Sequence, residues 1–267
     1  MKRVLSLGAG VQSTTVALLS KHGELPALDC AVFADTGWEP KAVYAHLDWL
    51  ETQLPFRVHR VAARHKIQDN PYRNGDEAKL FVSLPMFTEG GGMLWRQCTK
   101  EYKIEPIRAQ IRKILGLVRG ERAGRTPRVI QWFGISRDEA SRMRDSDVPW
   151  IIHHYPLVLD RPMTRNDCLV WLKTQGYPEP PRSACIGCPM HSDAEWRRLK
   201  DTSPNEFQQA VEFERQLQAK QAALGHRIKQ VPYLHRSLMP IAQVDFSTPE
   251  DRGQLNWLNE CGGHCGV

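Results

Sequence analysis

The sequence predicts an α/β protein built on a doubly wound parallel sheet, and three observations predict it. Short apolar runs alternate with segments of helical periodicity through the first half of the chain. The runs end in Gly- or hydroxyl-containing loops that lead into the next element. Beyond Tyr155 the alternation stops, and a Cys-containing loop sits among capped helices. The expected division is an α/β domain over residues 1–160 and a partly helical, Cys-containing extension over 161–267 that completes the active site.

Residues 4–7 form the first apolar strand, and a Gly-containing turn leads from it to a helix from about 13 to 21. Residues 30–34 are a second buried strand. The helix over 41–54 carries Val43, Leu47 and Leu50 on one face. Residues 56–61 read as a third strand and 128–133 as a later one. Parallel strands joined through helices need right-handed crossovers, which put helices on both faces. Such sheets bind ligands beyond the carboxyl ends of their strands. Further on, Thr164 can cap a helix running to about Gln175, and a Pro-rich turn occupies 177–181. Ser192 with Glu195, and Ser203 with Glu206, have capping-box spacing; the second has Pro204 at the first helical position and opens a long helix to about Leu224. The last forty residues read as irregular, with one short helix opened by Thr248 and Pro249, and there is no internal repeat.

Composition is that of a globular protein: of 267 residues, 41% are hydrophobic and 25% charged, with no low-complexity run. No apolar stretch approaches a membrane span, and Met1-Lys2-Arg3 runs straight into the first strand, so a cytoplasmic protein without membrane contact is expected. Seven cysteines in that compartment are expected to be ligands or reactive thiols rather than disulfides. A net charge of +6 favours an anionic partner without naming it. The charge is concentrated between Arg108 and Arg128, where Arg112, Lys113, Arg119, Arg122 and Arg125 also lie. Two readings stand there: a solvated helix end with its loop, or an arm that contacts phosphate or nucleic acid.

Three loops carry candidate chemistry. Ser6, Gly8, Gly10, Gln12, Ser13 and Thr14 join the first strand to the first helix. Glycines let backbone amides approach an anion, and the helix start adds unpaired N–H groups. The segment is no Walker A loop, because no Lys follows its last Gly, and it lacks the third small residue of the dinucleotide fingerprint. Asp35, Thr36 and Gly37 follow the second strand; Asp35 could hold a ribose hydroxyl or magnesium, or simply cap the next helix. Gly134, Ser136, Arg137, Arg142 and Arg144 follow the later strand, where arginine forks suit bidentate phosphate or sulfonate contacts and a solvated basic helix is the alternative.

In this order the loops resemble the PP-loop sulfonucleotide (APS/PAPS) reductases of the adenine nucleotide alpha-hydrolase-like superfamily. Tyr102-Lys103-Ile104-Glu105-Pro106-Ile107 is similar to that family's Arg-Lys-Val-Glu-Pro-Leu, and Glu260-Cys261-Gly262-Gly263-His264 to its terminal Glu-Cys-Gly-x-His. The resemblance runs from about residue 4 to 265. It implies that the first loop, Asp35 and Gly37 bind the nucleotide, with Gly134 beside them. It further implies that Arg137 and Arg142 grip the phosphate or sulfate end, that Cys261 is the nucleophile and that His264 assists it. A thioredoxin-like reductant and a homo-oligomeric state are implied with it.

Cys185 and Cys188 form a C-x-x-C pair on a loop, a spacing that presents two thiolates to one metal. Cys98 precedes residues 102–107, where cluster-bearing reductases supply upstream cysteines, and Cys261 and Cys265 end the sequence. Cys98, Cys185, Cys188 and Cys265 would suit a 4Fe–4S cluster, and a Cys₄ set suits zinc equally well. Cys30 and Cys168 read as core residues. Where the family has a vicinal Cys-Cys, this chain has Cys98-Thr99. That departure opens a second function: an AMP-forming, pyrophosphate-releasing sulfur transferase that binds ATP with magnesium and thiolates a base in tRNA or another nucleic acid. A nucleotide-sensing module with a structural metal is a third reading, and it leaves the terminal cysteines idle.

Overall fold

The computed structural model describes residues 1–69, 72–73, 81–224 and 230–248. The chain divides into two compact units, one of residues 1–65 and 100–184, the other of 66–99 and 185–267.

The first unit is a five-stranded sheet. Its strands are β1 (Lys2–Leu7), β2 (Cys30–Asp35), β3 (Arg57–Ala62), β4 (Val129–Phe133) and β5 (Ile151–His154), in the spatial order β3-β2-β1-β4-β5. Every pairing is parallel. The helices of this unit are α1 (Val11–Lys21), α2 (Lys41–Gln53), α3 (Glu105–Ile114), the single turn α4 (Pro156–Leu159) and α5 (Arg165–Thr174). Strand periodicity sends alternate side chains to opposite faces, and two separate cores result. Leu5 and Leu7 of β1, Ala31 and Phe33 of β2 and Trp132 of β4 pack with Leu18 of α1, Leu47 of α2 and Trp171 of α5. Val4, Cys30, Val32, Ala34 and Val129 point the other way, onto Ile107 and Ile111 of α3. Helices therefore cover both faces, and the doubly wound sheet expected from the sequence is the fold observed.

α5 begins at residue 165 and still belongs to the first unit, because Cys168, Trp171 and Leu172 complete the core under α1. Thr164 caps its start as expected, and Asp167 closes the cap into a capping box: the Thr164 Oγ1 accepts from the Asp167 amide at 3.1 Å while the Asp167 carboxylate accepts from the Thr164 amide at 2.8 Å.

The second unit holds α6 (Asp193–Thr202) and α7 (Pro204–Leu224), with short antiparallel pairings of Tyr72–Arg73 with Phe81–Val82 and of Phe87–Thr88 with Pro232–Tyr233. The Ser192 capping box with Glu195 is present at the start of α6. Trp196, Phe207 and Phe246 pack edge to face at 6.2 to 6.4 Å. Glu214 on α7 is buried, and its two carboxylate oxygens accept from the amides of Leu234 (2.7 Å) and Ile241 (2.5 Å). Those bonds tie residues 234–241 to the helix, although burial still holds the Glu214 carboxyl above its ordinary pKa. The helix expected at Thr248-Pro249 falls on residues outside the described set from 249 onward. Among the described residues, no helix is long and apolar enough to cross a membrane.

Candidate functional site

The strand order places a topological switch at β1 and β4: the chain leaves β1 toward β2 on one side and later returns to β4 on the other. The loops that follow these two strands meet at their carboxyl ends. α1 opens on Gly10 in extended backbone, and no side chain caps it, so its first amides lack an intrahelical acceptor. Within the turn, the Gly8 amide donates to Ser13 Oγ at 3.2 Å, and that hydroxyl donates to the Gly10 carbonyl at 3.3 Å. Ala9 has a left-handed φ of 57° and is fully buried. The helix begins two residues before the expected Ser13, so Gln12 and Ser13 lie within its first turn.

Gly134 sets how closely the β4 loop can approach. A Cβ built there would lie 2.5 Å from the Ser13 amide nitrogen and 2.7 Å from its Cα, both backbone atoms. Only a residue without a side chain lets the two loops touch at this point. Ser136, fully buried, and Glu139 then reach across to Gln12, whose Nε2 donates to Ser136 Oγ (3.4 Å) and to Glu139 Oε2 (3.3 Å). The other oxygen of Glu139 pairs with Arg142 at 2.8 Å. Residues Arg137–Arg142 form a short 3₁₀ segment, anchored where the Arg137 amide donates to the Met163 carbonyl. Arg137 and Arg142 are exposed on it, whereas the Arg144 guanidinium folds back onto the carbonyls of Ser141 and Met143.

Ser6 lies within β1, and its hydroxyl accepts from Gln131 Nε2 at 2.7 Å across to β4. Asp35 ends β2, and its Oδ1 accepts from the Gly37 amide and from the Tyr44 hydroxyl, both at 2.7 Å. Gly37 needs its glycine, because its φ is +75°. Asp35 therefore organises its own turn rather than capping the next helix, whose N-cap is Pro40. Burial holds the Tyr44 phenol protonated, and the Asp35 carboxylate beside it adds to that effect. Beneath the α1 start, Thr14 Oγ1 and His46 Nε2 are 3.0 Å apart and both are buried. Burial lowers the His46 pKa to about 4, so the ring is neutral.

Sequence reasoning missed Ser183 and Glu139, and it named Ser136 only as part of the loop after β4. The Ser183 side chain stands over the first loop, 3.9 Å from a Cβ built at Gly8 and 3.5 Å from one at Gly10. No local signal in residues 177–184 points to that placement. Glu139 was visible only as one acid within a basic segment.

The cysteines divide by environment. Cys30 and Cys168 are buried, and desolvation raises their pKa values to about 11 and about 12, as expected of inert core thiols. Cys98, Cys185 and Cys188 belong to the second unit. The Cys185 carbonyl accepts from the Cys188 amide at 3.1 Å and is 3.0 Å from His191 Nε2, which makes the C-x-x-C pair a tight turn. Among the described residues, no three His, Cys, Asp or Glu side chains gather into a metal-holding set. Cys261, His264 and Cys265 lie outside the described residues.

The fold and this site define an α/β protein with a helix start that no side chain caps at its switch point. No protein-family model and no curated protein matches the chain. Among solved structures it is similar to the phosphoadenylyl-sulfate (PAPS) reductase from Candida auris in its phosphate complex, with a TM-score of 0.42 and 12% identity, covering 67% of this chain and 75% of that one.

Proposed function

We propose that the carboxyl ends of β1, β2 and β4 bind the phosphate or sulfate end of an adenine nucleotide, in a sulfonucleotide reductase-like enzyme. One observation carries the binding site: the close approach of Gly134 to the uncapped start of α1, which brings free backbone amides, Gln12 and the Arg137–Arg142 segment to one place. Asp35, on the neighbouring strand, is suited to the ribose, with one oxygen already fixed by Gly37 and Tyr44.

The motif order and the Glu260-Cys261-Gly262-Gly263-His264 tail support the reductase chemistry. The Cys261 thiolate attacks the sulfur of the bound sulfonucleotide and forms an S–S bond. The S–O bond breaks, and the nucleotide leaves with its electron pair. A dithiol protein of the thioredoxin kind then attacks Cys261 Sγ; sulfite leaves, Cys261 is restored as a thiol and the dithiol becomes a disulfide. Arg142 and His264 balance the anions.

Cys98-Thr99, in place of a vicinal cysteine pair, supports the second reading, ATP-dependent thiolation of a nucleic-acid base. Mass spectrometry separates the two. After saturating exposure to APS or PAPS without a thiol donor, a sulfite-sized adduct is expected on Cys261, and Cys261→Ser should lose it. An unmodified Cys261 with both sulfonucleotides would remove the reductase reading, and acceptor-dependent cleavage of ATP to AMP and pyrophosphate would establish the other.

A further inference from the structure

The loop between α3 and β4 is the most strongly charged feature of the first unit, and the nucleotide site does not use it. Residues 112–128 hold six cations (Arg112, Lys113, Arg119, Arg122, Arg125 and Arg128) against one acid, Glu121; that excess of five compares with +6 for the whole chain. The single acid is used locally, since its Oε2 accepts from the Val118 amide at 2.9 Å. One arginine is structural: Arg112 Nη2 donates to the carbonyls of Val118 (3.3 Å) and Glu121 (2.5 Å) and braces the turn from inside. Leu117 is buried and anchors the same turn. Gly120 and Gly124 have φ of +88° and +83°, with open space around both. Arg119, Arg122, Arg125 and Arg128 are exposed, and none has an ion-pair partner among the described residues.

We propose that this braced loop is a binding site for the phosphodiester backbone of a nucleic acid. Like charges held together repel one another, and a polyanion relieves that repulsion while releasing its counterions. All four presented cations are arginines, whose planar forks match phosphate oxygens. A protein-binding surface is usually centred on aromatic or large apolar anchors; this loop presents only Val118, 67% exposed, and no aromatic residue. The loop enters the amino end of β4, where the Lys2 amide donates to the Arg128 carbonyl at 3.2 Å and Lys2 stands opposite Val129. At about 3.3 Å per residue, the five residues of β4 separate the loop from residues 134–142 by about 16 Å. Nucleic acid held there leaves the nucleotide site free, so the proposal does not depend on the reductase reading.

Fluorescence anisotropy with labelled duplex DNA, duplex RNA and single strands, titrated with salt, tests it. Binding at low salt is expected, with a slope of log K against log salt of about −3 to −4 on duplex DNA, as four phosphate contacts require. Joint replacement Arg119→Gln, Arg122→Gln, Arg125→Gln should weaken binding at least about tenfold and reduce the slope by about three, with an unchanged melting temperature showing that the variant is folded. The preferred strand type identifies the source of the backbone. Failure of the native protein to bind any of the three, or equal binding by the triple variant, overturns the proposal. Equal affinity for polyglutamate of matched charge also overturns it, in favour of an acidic protein partner.

Discussion

Gly134→Ala is expected to lose stability and nucleotide binding together, although it adds one methyl group. The added Cβ would sit 2.5 Å from the Ser13 nitrogen and 2.9 Å from the Gln12 carbonyl carbon. Neither atom belongs to a flexible side chain, so β4 and the start of α1 must move apart. Overpacking of this kind costs about 1–3 kcal/mol. The movement also separates Gln12 from Ser136 and Glu139, and an anion site misplaced by an ångström can lose about a hundredfold in function. Gly8→Ala in the same site supplies the contrast. Its Cβ would meet Ser13 Oγ at 3.7 Å and Ser183 Oγ at 3.9 Å, which are ordinary contacts, and its stability should be nearly unchanged. Thermal melting and nucleotide titration of both variants check this; a Gly134→Ala protein as stable as Gly8→Ala would refute the close approach.

The second large effect is a loss of stability in mild acid, traced to His46. In the native state burial lowers this ring to about pKa 4, against 6.5 in an exposed chain. As pH falls through 6.5 the unfolded chain takes up a proton that the native state refuses until about pH 4. Stability is therefore complete above about pH 6.5, falls between 6.5 and 4, and then levels. The full span is worth about 3 kcal/mol. Protonation would also disturb the Thr14 contact at the first turn of α1 and the packing against Trp49, whose ring centre lies 5.2 Å away. Denaturant titrations from pH 7 to 4 should show this slope, and His46→Gln should remove most of it. A slope that persists in that variant would assign it elsewhere.

Much of this was legible in the sequence because the informative signals are local. β1, β2 and β4 are apolar runs flanked by glycine and hydroxyl residues, and their covered faces follow from the two-residue period. The cap at Thr164 and the box at Ser192 could be read because capping depends on a hydroxyl just ahead of the helix and, for the box, on three-residue spacing. β5 was not read. It has four residues, Ile152 is 40% exposed, and two half-buried histidines end it, so an edge strand left no apolar run to find. The site was legible as loops and not as contacts. Gln12 and Glu139 are 127 residues apart and meet only because β1 and β4 are neighbours. Ser183 reaches Gly8 and Gly10 by a path that no periodicity records.

Calorimetric titration of pyrophosphate and of adenine nucleotides into the native protein and into Gly10→Val tests the central claim most directly. Gly10 opens α1, and a Cβ there lies 3.5 Å from that of Ser183, so valine methyls fill the gap over the first amides. The expected result is saturable binding by the native protein and a loss of at least about tenfold, near 1.4 kcal/mol, in the variant, with its circular dichroism spectrum unchanged. Equal affinity in the two folded proteins would contradict the account and leave the β1–α1 loop a turn that binds nothing.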